Sequence, residues 1–299
     1  MLPHGASPLA LPSNGPAPKL TLRLPSAAKA VRYEATICWE TFANGDYQTS
    51  TVTKQVALAL QAAANGSYRL DLRTSSPTLR KSGDLQSLEA VAVRLAALYE
   101  WLVIEVAPTG HFLALSNHDA VCRTWEVLAR SLQESTTADD QITPTLLRFI
   151  GQQLQDPATF LDSLRHDYLY QTLVLDRYGQ LLGGPNGTDQ PRQFASFFDK
   201  LPLCFTEEVD VVSPPTDEAI SLRLRGTLAP EKTDVAAIAR LMAQAVGPAA
   251  ASAGAPHFHY TATYVLDPHD GLPLSVALTV YGRLTDLYNK QYTLTISRV

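Results

Sequence analysis

Ten residues near the start of the chain constrain the fold more than any other stretch. In "VRYEATICWE", Val31, Tyr33, Ala35, Ile37 and Trp39 share one side of an extended backbone. Arg32, Glu34, Thr36, Cys38 and Glu40 share the other. Successive strand side chains point to opposite faces, so a period of two over ten residues predicts a strand with one buried face. The same alternation runs through "KLTLRL", "TSTVTKQVALAL" and "SYRLDLRT", with turn signals at Asn44-Gly45 and Asn65-Gly66. At the far end it predicts three closing strands at 257–266, 273–282 and 290–298, preceded by strands in "CFTEEVDVV" and "AISLRLRGTL".

Between these blocks the period changes. Leu88, Val91, Leu95 and Leu98 are spaced as one helix face. "WLVIEV" and "HFLALS" return to strand composition. Asn117 then reads as the N-cap of a helix carrying Val121, Trp125, Leu128 and Leu132 along one stripe. Thr143-Pro144 opens another helix, Asp156-Pro157 stops it, and a short helical stretch follows to about His166. "YLYQTLVLDRYGQLL" predicts a hairpin bent at Arg177-Tyr178-Gly179. A last helix spans Asp234 to Val246 and ends at Gly247-Pro248, with Ile238, Leu241, Met242 and Ala245 inward.

Strand–strand neighbours outnumber strand–helix–strand crossovers. The expected class is therefore α+β: curved antiparallel β-sheets with helices packed on one face, in one lobe or two. The proline-interrupted residues 1–16 read as a flexible N-terminal tail. An N-terminal α+β lobe follows at 17–182, a Gly/Pro/Asn linker at 183–191, and a C-terminal α+β lobe at 192–299.

The formal net charge is −5, with no Lys/Arg cluster, so neither a nucleic-acid footprint nor a polybasic lipid patch is present. No apolar run approaches the roughly 20 residues that span a bilayer. The cysteines, Cys38, Cys122 and Cys204, are odd in number and widely spaced, which argues against a disulfide framework. Buried free thiols fit a reducing cytosol, and the start of the chain does not read as a standard signal peptide; the expectation is a soluble, cytoplasmic protein, taken to be bacterial.

Three groups are candidates for function. His257 and His259 sit at i and i+2, so on a strand they face the same way and could share a zinc ion. His269 and Asp267 lie in a turn at the opposite end of that strand, so a third ligand would have to come from elsewhere. The expectation is a solvent-facing or ligand-binding pair and no metal. His118 and Cys122, at i and i+4 of a helix, form the only Cys–His pair with nucleophile spacing, but Cys122 lies beside the Val121–Trp125 stripe and reads as a core thiol. In "FASFF", helical spacing would bring Phe194, Phe197 and Phe198 to one side as a candidate anchor for a partner or ligand; the alternative is a satellite core under a loop. The acidic pairs Asp139-Asp140 and Glu207-Glu208 read as solvated. No nucleotide, P-loop, serine-hydrolase or zinc-protease string occurs, and no cofactor is expected.

The stretch from His257 to Val299, with Asp267 and Gly271 in a D-x-x-x-G turn between alternating strands, resembles the last hairpins of LolA/LolB-like lipoprotein carriers. That resemblance implies a half-open barrel around an apolar cavity. The internal helical block and the absence of a lipobox cysteine near the N-terminus depart from that pattern. The leading functional expectation is a non-enzymatic binding or scaffold protein acting on a protein partner through a sheet face or groove. The alternative is a carrier of a small apolar ligand, and the third a hydrolase-like enzyme using His257/His259 or His118/Cys122.

Overall fold

In the computed structural model the described residues are 19–81, 87–135, 142–182, 190–212, 216–247 and 254–299. The expected N-terminal tail, the 183–189 part of the expected linker and Asp139-Asp140 lie outside them. The first strands are β1 (Leu20–Thr21), β2 (Lys29–Ala43), β3 (Asp46–Ala62), β4 (Tyr68–Thr74) and β5 (Thr78–Lys81). Helix α1 (Ser87–Leu95) and a 3-10 turn (Ala96–Tyr99) lead to β6 (Trp101–Val106) and β7 (Phe112–Leu115). Four helices follow: α2 (His118–Ser135), α3 (Ile142–Leu154), α4 (Pro157–Arg165) and α5 (Tyr170–Leu173). The chain ends with β8 (Leu181–Leu182), β9 (Gln190–Phe198), β10 (Leu201–Val211), β11 (Ile220–Leu228), α6 (Val235–Val246), β12 (His257–Leu266), β13 (Pro273–Leu284) and β14 (Tyr288–Arg298).

Twelve of the strands form one antiparallel sheet in the order β7-β6-β4-β3-β2-β14-β13-β12-β11-β10-β9, with β5 paired to β3 beside β4. The sheet is open, so the expected α+β class with a curved antiparallel sheet holds. Strand β2 joins the first and last blocks of sequence by pairing with β14 from Tyr33↔Arg298 to Ala43↔Tyr288. Strands β1 and β8 make a separate two-stranded ribbon. Among the described residues no helix is long and apolar enough to cross a membrane.

Alternation decides which sheet face is covered. Tyr33 and Ala35 of β2, Val56 and Leu58 of β3, Tyr260 and Tyr264 of β12, and Tyr292 and Leu294 of β14 are buried on the concave side. The intervening Arg32, Glu34, His257 and His259 are exposed on the other side. Helix α6 packs over β13 and β14. It starts at Asp234, whose carboxylate accepts from the Ala237 amide at 2.8 Å, and buries Ile238, Met242 and Val246, while Ala245 is exposed.

The largest difference from expectation is at 166–178. No hairpin forms there; the segment carries α5 and lies inside the concavity as a plug. Leu169, Tyr170, Leu173, Leu175 and Tyr178 are each at most 1% exposed. Its apolar composition suits a strand or a buried helix equally well, and burial in the tertiary structure decides. Two turns clamp it. Gly110 has φ +94°, and a Cβ there would collide with the Leu175 carbonyl. Gly271 has φ +67°, as its Asp-Gly turn predicts, and a Cβ there would collide with the Arg23 carbonyl. The Tyr178 ring stands within 3.0 Å and 3.3 Å of those two Cβ positions, and its hydroxyl donates to the Gly271 carbonyl at 3.1 Å.

Two local expectations are corrected. Asn117 does not cap α2 with its side chain. Its Oδ1 accepts from the Val103 amide at 2.8 Å and its Nδ2 donates to the Trp101 carbonyl at 3.0 Å, satisfying the backbone of β6 where β7 no longer pairs with it. The cysteines are not uniformly buried: Cys204 is, whereas Cys38 and Cys122 are half-buried.

Candidate ligand-binding site

The concave face is mostly apolar, yet several charged side chains stand in its rows. In β3, Lys54 is in phase with buried Val56 and Leu58. In β10, Glu207 is in phase with buried Leu203 and Phe205. In β9, Arg192 precedes buried Phe194 by two residues, and in β14 Lys290 stands between Tyr288 and Tyr292. Their surroundings differ.

Glu207 is enclosed by partners. Its two oxygens accept from Arg177 Nη2 and Arg192 Nε, each at 2.7 Å, and the Tyr260 hydroxyl donates at 2.6 Å. Burial alone would raise its carboxyl, but the two guanidinium groups and these hydrogen bonds hold it below the usual carboxylate value. Glu208 points away and is exposed. The two residues do face opposite ways, as strand geometry requires, but Glu207 is not solvated.

Lys290 sits over aromatic rings. Its Nζ lies 5.6 Å from the centroid of Trp39, 5.8 Å from Phe197 and 5.6 Å from Phe198. Burial lowers its pKa, and Asp199 partly offsets this.

Lys54 has no ion-pair partner among the described residues. Its Nζ lies 5.6 Å from the Tyr170 ring of the plug. Burial lowers its pKa, opposed by the field of Asp167, whose own carboxylate is engaged by the Leu169 and Tyr170 amides at 2.9 and 3.1 Å. The ammonium lines a groove of about 320 Å³ between the β3–β5 edge and α1. The walls are Val52, Pro77, Leu79, Val93, Ala96 and Tyr99. Ser50 and Thr74 add polar atoms, and the Thr74 hydroxyl is already committed to the Tyr99 carbonyl at 2.8 Å. The groove is thus apolar with one under-neutralised cation. Sequence reading missed Lys54; its phase in "TVTKQVAL", on the side of Val52 and Val56, was the available signal.

The expected site residues fall elsewhere. His257 and His259 are exposed on the convex face at the start of β12, and His259 packs against the Tyr281 ring at 5.2 Å. Asp267 and His269 lie at the other end of that strand, where Asp267 pairs with Arg298 at 2.9 Å. Among the described residues no three His, Cys, Asp or Glu side chains are grouped to hold a metal ion.

His118 and Cys122 do meet, with Sγ 3.6 Å from Nε2, but Sγ also lies 3.6 Å from the Leu154 carbonyl. Burial, then the Asp119 and Glu126 carboxylates, raise the thiol pKa, which opposes the thiolate that a nucleophile requires.

Phe194, Phe197 and Phe198 are not on a helix. They belong to β9, with Ser196 in the left-handed region at φ +56°. All three are buried, in edge-to-face contacts that include Phe194 with Tyr260 at 4.9 Å and Phe197 with Phe198 at 5.0 Å.

No family model and no curated protein sequence matches the chain. Among solved structures, one described as lipid–protein interactions in lipovitellin aligns with 92% of this chain at 6% identity and a TM-score of 0.40. This chain spans a quarter of the length of that one. The structure of MucB in complex with MucA(peri) aligns over 89% of each chain at 11% identity and a TM-score of 0.13. Both scores are too low for either likeness to say what this chain is.

Proposed function

We propose that the protein is a non-enzymatic binding protein whose groove between α1 and the β3–β5 edge takes an amphipathic ligand, an apolar chain ending in a single anionic head. The observation that carries this reading is Lys54: a half-buried ammonium with no ion-pair partner among the described residues, lining an otherwise apolar groove. An apolar chain would remove Val52, Leu79 and Val93 from water at about 25 cal/mol per Å² of area covered. An anionic head beside Lys54 would act where water is already partly excluded, so its attraction is screened less than at a free surface. At 320 Å³ the groove is at the small end of ligand sites, which suits one chain of modest length. The interior of the half-open sheet is filled by the plug and its aromatic neighbours, which points to this lateral groove instead of a central cavity.

The test is calorimetric titration of the full chain with dodecanoate and with dodecanol. Saturable binding of both, with dodecanoate tighter by about tenfold or more, is the expected result. Val93→Trp, which fills the groove from the helix side, should abolish both without lowering the unfolding temperature. Failure of both probes to bind the wild-type protein would overturn the reading. Equal affinity for both would leave the groove apolar but remove Lys54 from it.

A further inference from the structure

A second cavity, of about 370 Å³, lies on the far side of the plug between the β6–β7 turn, the end of α4 and the first residues of β9. Its lining carries more polar and charged side chains than the groove's. Arg192, Gln171 and Asp176 all line it, and each keeps one buried polar atom without a hydrogen-bond partner among the described residues: Arg192 Nη2, Gln171 Nε2 and Asp176 Oδ1. A buried donor or acceptor left unmade costs roughly 1–3 kcal/mol, and native proteins keep few of them. Three at one cavity are a concentration that packing alone does not explain.

The guanidinium is held in place. Nε of Arg192 is spent on Glu207 at 2.7 Å and Nη1 on the Gln171 side-chain oxygen at 2.9 Å. The side chain is 6% exposed and cannot swing to find another partner. The same hydrogen bond fixes the Gln171 amide, so its Nε2 and Arg192 Nη2 are two donors set by one contact. Two N–H donors are what the two oxygens of a carboxylate take. Asp176 supplies the complementary acceptor, and its charge bears on Arg192.

The carboxylates and guanidinium groups at and behind the cavity balance: Arg192 and, behind it, Arg177 against Glu207 and Asp176, and Arg165 against Asp162. A doubly charged anion would find no surplus of positive charge, whereas a ligand of charge zero or minus one fits. We propose that this cavity binds a small carboxylate carrying a hydroxyl or ammonium group on the neighbouring carbon, with the carboxylate on Arg192 and Gln171 and the adjacent donor on Asp176. The site stands independently of the apolar groove.

The experiment uses the full chain and four probes: L-lactate, L-serine, acetate and inorganic phosphate, read by thermal shift and calorimetry. At least one of L-lactate and L-serine should bind saturably and raise the unfolding temperature. Acetate, which offers nothing to Asp176, should bind at least about tenfold more weakly. Asp176→Ala should erase that discrimination, and Gln171→Leu should weaken every carboxylate. The comparison of probes on the wild-type protein needs neither variant to fold well. The proposal is overturned if neither L-lactate nor L-serine binds, if acetate equals them, or if phosphate binds as tightly. It is also overturned if a structure at high probe concentration shows only ordered water on the three atoms.

Discussion

Glu207 and Lys54 occupy equivalent positions in the pleat, each a charge in a row of apolar side chains on the same sheet face, and the fold treats them oppositely. Glu207 receives two guanidinium groups and a tyrosine hydroxyl, all within 2.7 Å. Lys54 receives the field of an already engaged aspartate and an aromatic ring at 5.6 Å. A buried charge with all its partners is part of the scaffold: removing it strands the partners. A buried charge without partners is a cost that the scaffold tolerates, and it becomes favourable when something from outside completes it. The contrast distinguishes a completed charge from an open one on a single sheet face.

The largest effect that would break the comparison is at Glu207. Glu207→Ala leaves Arg177 and Arg192 facing each other inside the core, and a loss of about 3–5 kcal/mol in urea unfolding is expected. Because the folded carboxyl is held below its unfolded value of 4.5, its stabilising contribution is complete above that value. It is lost as pH falls through the folded value. Glu207→Gln should therefore flatten the acid limb of the stability profile. A profile that keeps the wild-type acid slope would show that the network is not what Glu207 stabilises.

Next comes Phe197, which sharpens the comparison through Lys290. This third charge has aromatic rings where Glu207 has guanidinium groups and Lys54 has an open groove. Phe197 is fully buried, so Phe197→Ala should cost about 3–5 kcal/mol, most of it from the cavity left among Trp39, Phe198 and Lys290. A variant of nearly wild-type stability would mean that the ring is held for a partner and not for the core.

Much of the sheet was legible because long alternation leaves few alternatives. The closing strands fall at His257–Leu266, Pro273–Leu284 and Tyr288–Arg298, within two residues of expectation. Both turn signals of the first hairpins also hold, and α6 starts within one residue of its expected start at Asp234. What failed depends on contacts distant in sequence. The plug reads as a hairpin because apolar composition does not distinguish a buried helix from a strand. Asn117 reads as a cap because the open backbone of β6 is invisible from its own neighbourhood. The phenylalanines read as helical because nothing in "FASFF" announces the left-handed Ser196. The candidate site was half legible: Lys54, Glu207 and Arg192 are each in phase with apolar residues, which marks them as buried charges. Which of them has partners is decided by residues 15 to 53 positions away for Glu207, and no local pattern carries that.

The smallest effect on stability, and the most informative, is expected at Lys54. Lys54→Met keeps the length and apolar stem of the side chain and removes only the charge. At neutral pH the change should be within about 1 kcal/mol and toward greater stability, because a partly desolvated ammonium with no ion-pair partner among the described residues is removed. The pH dependence has a definite sign. Folding lowers the Lys54 pKa below its unfolded value of 10.5, so between the two values the unfolded chain binds more protons. Wild-type stability should therefore rise with pH as the lowered value is passed. The slope is best read below pH 10.0, before unfolded tyrosines ionise while Tyr33 and Tyr99, raised to about 12, do not. Lys290 contributes a rise of the same sign, so the quantity of interest is the difference between wild type and Lys54→Met. Dodecanoate should reverse that order: bound anion favours the charged lysine, and affinity should fall as pH rises through its pKa. The methionine variant should bind dodecanoate and dodecanol alike. A variant clearly less stable at neutral pH, with unchanged dodecanoate affinity, would make Lys54 a structural charge like Glu207 and erase the distinction between the two ends of the sheet face.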